Sequence, residues 1–211
     1  MRYFFDLDDT LVVGPTTWAI NQVFPDMIRQ HHVPYDPTAF AEALLQGQQR
    51  ARGRENDAEL LDDLFRRMNW PPDLKSGLIA QIFEHYQPQL FDDTLPMLKR
   101  LQARADEAYI LSNNDHAPEL AEALGIRPYV RALFTPRSCG VAQGKPQPAL
   151  WSYITAHHPG EGGPDTLVGD DPWTDGLFAD TCQISCLILD RLDRFAAVPM
   201  PHRRLRSLDE L

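Results

Sequence analysis

The chain has 211 residues, enough for one full-sized domain with its own core, or for a core domain carrying a smaller insertion. Acidic residues outnumber basic ones 30 to 20, and the formal charge of −10 opposes general binding to nucleic acid, so any anionic ligand must be held by local chemistry. Hydrophobic residues make up 43% of the chain, in runs too short to span a membrane, and a strand-like segment rather than a signal peptide follows Met1; a soluble, cytoplasmic protein that engages neither nucleic acid nor membrane is expected.

The first predicted element is a strand over 2–5, RYFF, with three carboxylates directly behind it, Asp6, Asp8 and Asp9. Ionised and converging at about 5 Å, each pair would repel by roughly 3 kcal/mol at an effective dielectric near 20, so a positive partner belongs beside them. Alternation along an extended chain sends Asp6 and Asp8 one way and Asp9 the other, which makes Asp9 a turn residue.

Residues 15–88 then read as an almost entirely helical insertion, far longer than the crossover of a dozen or so residues that a parallel strand pair needs. Asp36-Pro37 has the form of a cap and first helical position, and Pro71-Pro72 separates two helices. Leu60, Leu61, Leu64, Phe65 and Met68 fall on one face, as do Leu74, Leu78, Ile79, Ile82, Phe83 and Tyr86. Beyond the insertion, Leu95, Leu98 and Leu101 mark a helix leading to a strand over 108–111, and a helix over 118–124 is closed by Gly125. A Gly- and Pro-rich loop over 158–164 precedes a strand over 166–168, followed by strands over 184–189 and 203–205. This alternation predicts an α/β fold: a Rossmann-like parallel sheet core flanked by helices, from residues 1–14 and 89–211, with an inserted all-helical domain at 15–88.

Four polar clusters punctuate this pattern: DLDDT; Ser112-Asn113-Asn114; Gly144-Lys145-Pro146 opening a helix; and VGDDPWTD, with Asp170, Asp171 and Asp175. Three of them directly follow a strand, and ligands of open parallel sheets bind beyond the carboxyl ends of the strands. In this order, DLDDT, SNN, GKPQP and GDDPWTD resemble the motifs of the haloacid dehalogenase superfamily, most of whose members are magnesium-dependent phosphohydrolases. The resemblance spans the chain, and the helical insertion is similar to that family's cap domain of the first type. A carboxylate cluster without Cys or His also suits a hard cation, and Mg²⁺ meets phosphate substrates through one or two carboxylates and retained waters.

The resemblance implies a Mg²⁺-dependent phosphohydrolase of the phosphatase branch. Asp6 is then the nucleophile that forms an aspartyl-phosphate, and Asp6, Asp170 and the backbone carbonyl of Asp8 hold the metal. The side chain of Asp8 protonates the leaving oxygen and later deprotonates the attacking water, and Thr10 helps to fix the turn. Ser112 and the backbone at Asn113 bind phosphoryl oxygens, and Lys145 balances charge. Asp171 and Asp175 are left between a water on the metal and an anchor for Lys145, with Asp171 ranked first as the metal contact. The partner is a small phosphorylated metabolite, for which sugar phosphates, phosphoglycolate and nucleoside monophosphates all fit. The alternatives are a phosphomutase of the same fold, a 2-haloacid dehalogenase, whose family relatives carry no acid at the position of Asp8, and a catalytically silent binding domain. Oligomeric state is left open.

Other residues have plainer readings. Ser112 equally fits a helix cap, and Asp175 a cap for a helix over 176–181. The run Arg50, Arg52, Arg54 reads as a solvated face ahead of a grip on charged substrate. Cys139, Cys182 and Cys186 contain no CxxC pair and leave one thiol over in any pairing, which favours reduced structural cysteines and disfavours zinc. The four tryptophans read mostly as packing, with Trp173, inside the fourth motif, lining the site.

Overall fold

A computed structural model describes residues 1–51, 57–160 and 163–211. The chain divides into two compact units, Met1–Val13 with Gln89–Leu211, and Gly14–Pro88. In chain order, β1 (Arg2–Phe5) is followed by five helices: α1 (Pro15–Gln22), α2 (Phe24–Gln30), α3 (Pro37–Ala51), α4 (Asp57–Arg67) and α5 (Pro72–His85). Then come α6 (Thr94–Ala103), β2 (Glu107–Leu111), α7 (Ala117–Ala123), β3 (Leu133–Phe134), α8 (Pro136–Cys139), α9 (Ala149–His157), β4 (Asp165–Gly169), α10 (Leu177–Cys182), β5 (Ser185–Leu189) and β6 (Arg203–Leu205). No helix among the described residues is long and apolar enough to cross a membrane.

The larger unit is an α/β Rossmann-like core: one parallel sheet in the order β3-β2-β1-β4-β5-β6, flanked by helices. Strands covered on both faces read as continuous apolar runs, and β1 shows why. Tyr3 and Phe5 point into a cluster with Leu98, Ile110 and Val168, whereas Phe4 points the other way, 4.9 Å from the ring of Tyr109 and 5.2 Å from that of Trp151. The chain steps outward from β1 through β2 to β3, then returns to place β4 on the opposite side of β1. That reversal opens a crevice between the carboxyl ends of β1 and β4. β3 is absent from the sequence reading, because two residues at a sheet edge carry no period. The helix expected to open at Gly144 begins only at Ala149.

The smaller unit, taken by itself, has five helices among the described residues, around a core that includes Phe24, Phe40, Leu61, Leu64, Phe65, Trp70, Leu74 and Leu78. Asp36 caps α3 through Thr38 N at 2.8 Å, and Trp70 Nε1 donates to Pro34 O at 2.9 Å. The buried face of α5 is narrower than its sequence predicts. Phe83 is 86% exposed, because at about 100° per residue it lies opposite Leu74 on α5. Arg50 pairs with Asp63 at 3.5 Å, and Arg66 and Arg67 pair with the same carboxylate. Arg52 and Arg54, like residues 161 and 162 of the expected loop, lie outside the described residues.

Candidate active site

Phe5 pairs with Val168 in register, and Asp6 N donates to Val168 O at 2.8 Å, so Asp6 continues β1 against β4 at the strand-order reversal. Asp170 directly follows β4, and one oxygen each of Asp6, Asp170 and Asp175 lie within 4.8 Å of one another. Lys145 reaches the same point from another segment. Its side chain is only 1% exposed, and Nζ donates to Asp6 Oδ1 at 2.8 Å and to Asp175 Oδ1 at 2.6 Å. This ammonium is a positive partner of the kind the three acids behind β1 call for.

Burial would push the Lys145 ammonium down, but Asp175 and Asp6 outweigh it and hold the pKa above the usual lysine range. Burial pushes Asp6 up to about 7, against the pull of Lys145 and with the repulsion of Asp175. Asp170 is raised well above the usual carboxylate range, first by burial and then by Asp9. Each carboxylate is therefore costly to ionise without further positive charge. The donor set is all hard oxygen, and Asp6 and Asp170 each keep one carboxylate oxygen outside the bonds that Lys145 and Arg194 make. That matches the one or two carboxylates through which Mg²⁺ is held.

Two asparagines of the second cluster secure this arrangement, and neither side chain has such a role in the sequence reading. Asn113 clamps the main chain of Lys145 twice: Oδ1 accepts from Lys145 N at 2.7 Å, and Nδ2 donates to Lys145 O at 2.8 Å. A Cβ at residue 144 would collide with the Asn113 amide, so the clamp requires Gly144. Asn114 Nδ2 donates to Asp8 Oδ2 at 2.9 Å. Ser112 is buried after β2, and its Oγ accepts from Asn114 N at 3.1 Å, which leaves the hydroxyl proton to donate elsewhere. It does not cap α7, whose N-cap position is His116.

One ranking is reversed, and two open roles are made specific. Asp171, ranked first for the metal, turns its carboxylate onto Trp173 N at 2.7 Å and onto Thr174, capping the turn Pro172–Gly176. Successive residues of an extended backbone point to opposite sides, and Asp170 takes the side facing the cluster. Asp175, the lower-ranked acid, takes the anchoring role rather than the cap: Oδ1 accepts from Lys145 Nζ and Oδ2 from Asp171 N at 3.2 Å. Its carboxylate lies where a Cβ at residue 169 would be, so glycine at the end of β4 is a condition of the contact. Thr10 helps to fix the turn through its backbone, N donating to Leu7 O at 3.3 Å, while its buried Oγ1 meets no partner among the described residues. Two further main-chain bonds hold the same turn, Asp9 N to Val12 O at 2.7 Å and Leu11 N to Leu7 O at 2.9 Å, with Asp9 at φ 58°. Trp173 is half-buried beside Phe195, their centroids 5.6 Å apart.

A family model described as haloacid dehalogenase-like hydrolase matches residues 2–179, and the chain belongs to that family. No curated protein matches it. Several solved structures share the fold. The HAD-hydrolase YfnB of Bacillus subtilis, bound to magnesium, is 18% identical with a TM-score of 0.66, covering 99% of this chain and 95% of that one. A predicted phosphoglycolate phosphatase from Haemophilus somnus is 16% identical with a TM-score of 0.63 over the same shares. A 2-haloacid dehalogenase from Pseudomonas syringae is 20% identical with a TM-score of 0.57, again over 99% and 95%.

Proposed function

We propose that this hydrolase is a Mg²⁺-dependent phosphatase of small phosphorylated metabolites. The observation that carries the reading is Asp8, two residues beyond Asp6 and held by Asn114. An alkoxide leaving from phosphorus needs a proton, whereas a halide leaving from carbon does not. A second acid kept beside the nucleophile therefore has work in phosphate ester hydrolysis and none in dehalogenation.

In this reading the Asp6 carboxylate attacks phosphorus, the bond to the leaving oxygen breaks, and Asp8 protonates that oxygen. Asp8 then takes a proton from water, whose oxygen attacks the same phosphorus and releases Asp6 and inorganic phosphate. Lys145, fixed by Asn113 and Asp175, offsets negative charge on Asp6 and the phosphoryl group, and Ser112 with the backbone at Asn113 binds phosphoryl oxygens. Asp6 and Asp170, with the main-chain carbonyl of Asp8, would hold Mg²⁺, which supplies charge neutralisation for the transferring phosphoryl group.

The test is release of inorganic phosphate from an aryl phosphate and a panel of sugar phosphates, phosphoglycolate and nucleoside monophosphates. Release is expected with Mg²⁺ and absent in EDTA or in Asp6→Asn. Halide release from a 2-haloacid without metal, or phosphate release persisting in Asp6→Asn, would overturn the reading.

A further inference from the structure

Arg194 belongs to none of the four motifs, yet it reaches the cluster from the segment after β5. Its Nη2 donates to Asp170 Oδ2 at 3.2 Å, and the two side chains are only 22% and 12% exposed. The arginine is braced from behind: its main-chain N donates to Asp190 Oδ1 at 2.7 Å, and buried Asp190 also takes Phe195 N at 2.9 Å. The guanidinium sits 5.1 Å from the centroid of the Phe195 ring. Its buried Nε meets no acceptor among the described residues, so the bond to Asp170 is the charged contact that accounts for its position.

The three acids are thereby divided between two protein cations. Lys145 bonds Asp6 and Asp175, and Arg194 bonds Asp170. We propose that Arg194 is a built-in counter-charge that competes with the divalent cation for Asp170 and so sets how tightly the site binds it. The inference rests on the metal-dependent reading above. A guanidinium on one oxygen of a carboxylate stands within a few ångströms of a cation on the other, and at that range in a partly buried site the two charges repel. The same positive charge relieves repulsion among Asp170, Asp6 and Asp175 when no divalent cation is present. One residue therefore steadies the metal-free protein and weakens its hold on metal.

Calorimetric titration with Mg²⁺ and thermal midpoints, in EDTA and in saturating Mg²⁺, test this on the full chain. Arg194→Gln and Arg194→Met are each expected to bind Mg²⁺ about tenfold more tightly, to melt lower in EDTA, and to gain more from Mg²⁺ than the parent protein. Arg194→Lys, which keeps the charge, is expected to bind close to the parent affinity. Unchanged or weaker binding in both neutral variants would overturn the proposal, as would equal tightening in Arg194→Lys. Failure of Mg²⁺ to bind any of the proteins, the parent included, would bring down the metal-dependent reading with it, a result distinct from binding that ignores residue 194.

Discussion

Buried Lys145 and partly buried Asp6 lie 139 positions apart in the chain, and each makes the other tolerable. In metal-free protein the Asp6 carboxyl moves from the ordinary 3.8 up to about 7, mainly through burial. Between those values the folded chain holds a proton that the unfolded chain has released. Stability should therefore fall as pH rises through that window and level off above it for this group. Asp170, also raised, adds in the same direction. Urea midpoints in EDTA across the window should show the decline, and Asp6→Asn should make it shallower by removing this group's share. Asp6, Lys145 and the other motif acids were all legible as sequence patterns; the asparagine clamps were not, because an amide's partner depends on which segment folds against it.

Helix and strand positions were legible wherever period and length cooperated. β1 and the short β6 stand at the predicted residues, and β2, β4 and β5 differ from the prediction only by a residue or two at their ends. The face of α5 was not legible to the same degree. A run containing Leu78, Ile79, Ile82 and Phe83 is apolar almost all round, and only packing shows which side is covered. Leu78 is 1% exposed and Phe83 86%. Leu78→Ala should cost about 2–5 kcal/mol, and Phe83→Ala should change stability by no more than about 0.5 kcal/mol, both read from urea midpoints. Comparable losses would restore the wider face.

At the scale of the core unit, Arg191 ties together segments far apart in the chain. It grips Asp93 through Nη1 at 2.7 Å and Nη2 at 2.8 Å, donates to Thr10 O at 3.1 Å, and lies 4.0 Å from the ring centroid of Phe91. Asp93 also accepts from Ser207 Oγ at 2.8 Å and Leu208 N at 2.9 Å. The turn behind β1, the start of α6, the loop after β5 and the C-terminal segment thus share one ion pair. Arg191→Met leaves Asp93 charged and mostly buried, and should destabilise the protein by about 3–5 kcal/mol, measured by equilibrium unfolding. A change below about 1 kcal/mol would mean that the pair behaves like an exposed one.

Local chemistry written along the chain was enough to specify the parallel α/β core, the four polar clusters and the family they resemble, since strand periods, turn residues and motif spacing act over a few residues at a time. Long-range contacts settled the rest. The resemblance already gives Asp170 a place beside Asp6 but leaves Asp171 and Asp175 open, and only the direction of the backbone leaving β4 assigns Asp171 to a cap and Asp175 to Lys145. Arg194 carries no signal at all until the segment after β5 lies beside β4, because an ion pair is a property of distance in space, which spacing along the chain does not encode.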